Sequence, residues 1–112
     1  MEKKSTIINL NDENFEKEVI RSKLLFMINF GAEWSGTFHI MTPVIEALAI
    51  KFKGRVKMGN LDIDNNTKIS ARYGIISVPV LLFFEDGEIV QQIFGAISKK
   101  ELSEKISSRL KK

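Results

Sequence analysis

The stretch Gly31-Ala32-Glu33-Trp34-Ser35-Gly36-Thr37-Phe38 decides how this chain folds. Before it runs Leu24-Leu25-Phe26-Met27-Ile28-Asn29-Phe30, almost unbrokenly apolar, too short for a buried helix and rich enough in large side chains for a strand covered on both faces. After it Met41, Val44, Ile45, Leu48 and Phe52 recur at three-to-four-residue spacing, the inner face of a long helix that Gly54 ends. The quoted stretch is therefore a strand-to-helix corner, and Ser35 is of the type that caps a helix by accepting from its free first-turn amides. Pro43 interrupts the helix, its ring pressing on the carbonyl of His39, so a kink is expected about one turn beyond the corner. Asn29 is the polar exception in the strand. Buried there, it must find a hydrogen bond or cost about 1–3 kcal/mol.

On the N-terminal side, Ser5 to Leu10 reads as a short strand and Asn11 as the cap of a first helix, with Leu10 and Phe15 packing across that cap. Phe15 and Val19 share the inner face of this helix, which should end near Ser22. On the C-terminal side, Val56, Met58, Leu61 and Ile63 form a third strand whose alternation slips near Gly59-Asn60. Thr67 to Tyr73 is a short helix closed by Gly74, and Pro79 stands directly before a second buried strand that runs to Phe84. Asp86-Gly87 is a hairpin turn, Ile89 to Phe94 the returning strand, and Ser98 with Glu101 has capping-box spacing before a last helix lined by Leu102, Ile106 and Leu110. This order predicts an α/β fold, a central mixed sheet of about five strands flanked on both faces by about four helices, in one domain spanning residues 1–112.

Composition narrows the chemistry. At 112 residues and 44% hydrophobic the chain can bury roughly two-thirds of its unfolded surface around one core. It has no cysteine, which removes disulfides, thiolate catalysis, cysteine-type zinc sites and iron–sulfur ligation together. One histidine cannot make a metal site alone and the acidic residues are scattered, so neither metal nor cofactor is expected. The net charge of +3 comes mostly from Lys3-Lys4 and from residues 99–112. No aromatic residues interleave these lysines, which reads as a solvated helix face and not as a nucleic-acid footprint. No apolar run is long enough for a signal peptide or a membrane span, so a cytoplasmic location is expected, and Asn65-Asn66-Thr67 is a chance glycosylation pattern.

Several separate signatures resemble the thioredoxin family, and the resemblance runs from about Ile7 to Leu110. Ala32-Glu33-Trp34 with Gly36 is similar to the family's active-site corner, Pro43 to its helix-kinking proline, and Asp62-Ile63-Asp64 to the end of its third strand. Tyr73-Gly74-Ile75 and Val78-Pro79 resemble the approach to its cis-proline, Asp86-Gly87-Glu88 its hairpin turn and Gly95-Ala96 its final loop. The departures are as specific. Ser35 stands where the attacking thiol would be, Phe38 where the resolving thiol would be and Thr37 at the intervening proline. Asn29 replaces a buried aspartate, Asn60 a lysine near it, and Gly31 the first corner tryptophan. An uncharged pair in place of a buried charged one relieves a desolvation cost once the thiols are gone.

What the resemblance implies is a redox-inactive relative that keeps a peptide groove. Pro79 would be cis, Val78 would offer backbone groups to an extended segment by strand addition, and Trp34, Ile76, Gly95 and Ala96 would wall the groove. Phe38 either packs inward, the reading favoured here, or joins Trp34 and Ile76 in an apolar patch. The expected partner is a protein or an extended peptide, not nucleic acid or membrane, and the chain is expected to be monomeric. Two other readings stand beside this one. The fold could serve as an accessory subunit bound through other surfaces such as the basic last helix. Alternatively, Ser35 and His39 could form a nucleophile and base, although no third group is evident to orient the imidazole.

Overall fold

The computed structural model describes residues 7–75 and 78–111, with the side chain of Thr37 outside that set. The strands are β1 (Ile7–Leu10), β2 (Leu25–Gly31), β3 (Val56–Asp62), β4 (Val80–Glu85) and β5 (Glu88–Phe94), and the α-helices are α1 (Gly36–Lys51), α2 (Thr67–Arg72) and α3 (Lys99–Leu110). A short π-helical turn at Glu16–Ile20 makes the fourth helix. The five strands lie in the order β1-β3-β2-β4-β5. β1 and β2 run parallel to β3, whereas β4 is antiparallel to both β2 and β5. This is the mixed sheet with four helices expected from the sequence.

β2 is central and buried along its whole length, which is why its sequence is a nearly continuous apolar run. Leu25 and Met27 face Met41, Ile45 and Leu48 of α1, Phe52 just past its end, and Leu102 and Ile106 of α3. Phe26, Ile28 and Phe30 face the other way, onto Phe15, Val19, Ile69, Leu82 and Phe84. The slip in β3 has a steric cause. A Cβ at Gly59 would meet Leu10 Cδ1 at 2.7 Å and the Ile8 carbonyl oxygen at 2.9 Å, so only glycine lets β1 lie this close. The hairpin between β4 and β5 has positive φ at both Asp86 and Gly87, as an Asp-Gly turn of type I′ requires.

The first helix differs from its sequence reading. Its cap is present, with Asn11 Oδ1 accepting from the amides of Glu13 and Asn14, and the Asn14 side chain returning the favour to the Asn11 amide. Leu10 and Phe15 are both buried across it. Beyond the cap, however, the turn is π-helical, closed by an Arg21 amide bond to the Glu16 carbonyl five residues back. Apolar spacing over so few residues cannot tell this wider turn from an α-helical one.

A long-range cap escaped the sequence altogether. The Asp12 carboxylate accepts from the amides of Lys68 and Ile69 in the first turn of α2, at 3.3 and 2.9 Å. Asn66 locks the arrangement by accepting from the Asp12 amide and donating to the Asp62 carbonyl. The loop after β1 and the loop after β3 are thereby tied together, which holds the end of β3 beside the corner.

Candidate functional site

The corner is built on the end of β2. The Gly31 carbonyl accepts from the Ile63 amide at 2.9 Å, and the Ala32 carbonyl from the Ser35 amide at 2.9 Å, turning the chain into α1. Ser35 is extended and caps the helix, its hydroxyl oxygen accepting from the Phe38 amide at 3.4 Å. α1 continues unbroken past Pro43, which leaves the His39 carbonyl without an intrahelical amide. The Thr42 hydroxyl meanwhile donates to the Phe38 carbonyl at 3.2 Å.

Phe38 packs inward. It is 5% exposed, and its ring occupies the space directly over Gly31. A Cβ at Gly31 would lie 2.6 Å from Phe38 Cγ and 2.8 Å from Cε1, so position 31 must be glycine as long as the ring is there. The two departures at the corner are therefore one structural exchange, a large side chain at 38 for a bare backbone at 31. Gly36 has open space around it, and of Thr37 only the backbone, within α1, is described.

Trp34 has the opposite placement. The residue is 72% exposed, and its indole N–H donates to Asp64 Oδ2 at 2.8 Å. The hydrogen bond holds the orientation of the ring while leaving most of its surface exposed. Beneath the corner Asn29 is fully buried and lies opposite Asn60 in the β2–β3 register. Among the described residues neither Asn29 amide atom nor Asn60 Oδ1 has a hydrogen-bond partner. The uncharged pair avoids the ionic desolvation penalty yet still carries the smaller cost of unsatisfied amides.

The proposed groove wall is half-buried at Val78 and Pro79. The Val78–Pro79 bond is cis, as the resemblance implied. The Pro79 carbonyl accepts from the Gly95 amide at 3.1 Å, which brings Gly95 beside Pro79, with Ala96 exposed next to it. Ile76 lies outside the described residues.

Among the described residues no side-chain hydrogen bond joins His39 to Ser35. The His39 Nε2 lies 2.7 Å from the Glu33 backbone carbonyl, a group that can only accept, so in this contact Nε2 is the donor. The Glu33 carboxylate is a looser neighbour, 3.8 Å from the same nitrogen. The Ser35 hydroxyl is itself engaged at the helix start. No group of three or more metal-ligating side chains occurs among the described residues, and no helix among them is long and apolar enough to cross a membrane.

Comparison with known proteins agrees with this architecture. The family model described as Thioredoxin matches residues 6–108. The thioredoxin of Buchnera aphidicola from Acyrthosiphon pisum is 38% identical over 98 residues, covering 88% of this chain and 91% of its own. That of Buchnera aphidicola from Schizaphis graminum is 36% identical over 105 residues, covering 94% and 97%. The thioredoxin of Haemophilus influenzae is 32% identical over 106 residues, covering 95% and 99%. With the β-sheet order, the corner, the cis-proline and the final loop all in place, this cysteine-free chain belongs to the thioredoxin family.

Proposed function

We propose that the chain is a redox-inactive thioredoxin-like protein that holds an extended protein segment in the groove beside its former active site, without exchanging disulfides. Thiol–disulfide exchange begins with a thiolate attacking a disulfide sulfur, and no residue here can supply one. Ser35 is a neutral alcohol used as a helix cap, and Phe38 offers a buried ring with no reacting atom. The observation that carries the reading is Phe38 turned inward at a corner whose groove residues Val78 and Gly95 are half-buried and Ala96 exposed. Had the ring pointed out, it would have stood where a bound segment must pass.

In this reading Val78 supplies backbone donor and acceptor to the segment by strand addition, Trp34 gives it an aromatic wall, and Gly95 and Ala96 allow close approach. Tryptophan is among the residue types that carry most binding energy at interfaces. The protein acts as a cytoplasmic, monomeric docking or holding module with no cofactor.

The test is affinity capture from the source cell's extract with wild type and a Trp34→Ala, Ala96→Arg variant. Partners lost with the variant place the function in the groove. Partners kept in full by the variant would overturn the reading. An assay of disulfide reduction, in parallel, should show no turnover for either protein.

A further inference from the structure

One cavity lies away from the corner, between α1 and α3. It has a volume of about 440 Å³ and is lined by Ala47, Leu48, Lys51, Lys99, Lys100, Ser103 and Glu104. Ala47 is eleven residues along α1 from Gly36, roughly 16 Å at the helical rise. This surface is thus separate from the groove proposed above.

Its charge is unbalanced. Three lysines face one glutamate, and the ion pairs found among the described residues, His39–Glu33, Arg72–Glu16 and Arg109–Glu85, include none of the three. Lys51 Nζ donates only to the neutral Ser103 hydroxyl at 2.8 Å, which bridges the two helices and fixes the ammonium at the rim. Lys99 and Lys100 occupy the first turn of α3, where the helix dipole disfavours cations. With Glu104 the one carboxylate in the lining, the three lysines leave a net positive surface that suits an anion from outside. Between them Ala47 and Leu48 give the floor an apolar strip.

We propose that the α1–α3 cavity docks an acidic segment of a partner protein, with an apolar side chain over Ala47 and Leu48 and carboxylates on either side, one toward Lys51 and one toward Lys99 and Lys100. Charge complementarity selects the sign of the occupant, and the lining selects its class. No aromatic residue lines the cavity, so it offers no platform for stacking bases. Glu101 and Glu104 interrupt the basic face of α3, unlike the continuous polybasic face of a membrane-surface helix.

The probe is a dye-labelled peptide with one leucine between pairs of glutamates, followed by anisotropy at low ionic strength, with the glutamine version as control. Wild type should bind the glutamate peptide, more weakly as salt approaches about 0.15 M, where the Debye length falls to about 8 Å. Replacing Lys51, Lys99 and Lys100 by glutamate should weaken binding by about tenfold or more. The same reversal at exposed Lys17, Lys23 and Lys68, which changes net charge equally, should weaken it by less than about threefold. Trp34→Ala should leave it unchanged, which separates this surface from the groove. If the charge-reversed triple variant loses its circular dichroism spectrum, glutamine at the same three positions replaces it and should still weaken binding severalfold. Equal loss in the two triple sets, equal binding of the glutamine peptide, or tighter binding of a thymidine oligonucleotide of the same charge would each overturn the proposal.

Discussion

Substituting Gly31 by alanine tests the exchange at the corner. The new Cβ would lie 2.6 Å from Phe38 Cγ and 2.8 Å from Cε1, distances that real Cβ atoms do not tolerate, and the ring is 5% exposed with little room to retreat. Overpacking of this kind costs about 1–3 kcal/mol. Against it stands the ~0.5–1 kcal/mol that alanine gains over glycine within a strand or helix. Gly31 is not held at positive φ, so no backbone strain enters. The expected net loss is about 1–2 kcal/mol. Phe38→Ala alone should cost about 3–5 kcal/mol through the cavity it leaves, which a domain of this size can survive. With the ring gone, the clash disappears and Gly31→Ala should become stabilising by ~0.5–1 kcal/mol. Urea unfolding of the four proteins, followed by circular dichroism, should therefore close a cycle with a coupling of about 1.5–3 kcal/mol. Additivity to within about 0.5 kcal/mol would refute the claim that position 31 is glycine because position 38 is phenylalanine.

Asn29→Leu should stabilise the fold by about 1–2 kcal/mol, because it removes a fully buried amide with neither atom hydrogen-bonded while keeping a similar volume; a lower urea midpoint would show that the amide has a partner in solution. Asp12→Ala should cost about 1–2 kcal/mol and raise amide exchange selectively in Lys68 and Ile69, since among the described residues that carboxylate is their side-chain cap. Burial pushes the Tyr73 phenol above its ordinary value, with the Arg72 guanidinium partly opposing. A raised acid pKa means the unfolded chain ionises first, so stability held below about pH 10 should fall as pH rises beyond it, and Tyr73→Phe should flatten that alkaline slope.

What was legible in the sequence was local. Asn11, Ser35 and Ser98 cap helices through amides two or three residues away, and Asp86-Gly87 specifies its turn by the φ values its own residues can adopt. β2 was legible because a strand buried on both faces has no polar alternation to confuse. The groove was legible only through resemblance, since nothing near Pro79 in sequence marks a cis bond. The features that were missed join distant residues. Asp12 caps a helix that begins 55 positions later, Asn29 meets Asn60 only through strand register, and the fit of Phe38 against Gly31 depends on the angle at which α1 leaves the corner. The first turn was π-helical where α was expected, because Phe15 and Val19 satisfy either spacing.

The central claim is that this family member binds through the groove and not through chemistry. Its most direct measurement places a photo-crosslinking phenylalanine analogue at Ala96 or, as a control, at exposed Glu88 on the far end of β5, and irradiates each protein in extract from the source cell. The account predicts a discrete crosslinked partner from position 96, lost on adding Trp34→Ala and insensitive to reductant. Crosslinks of equal yield from both positions, or a position-96 product that survives Trp34→Ala, would contradict it.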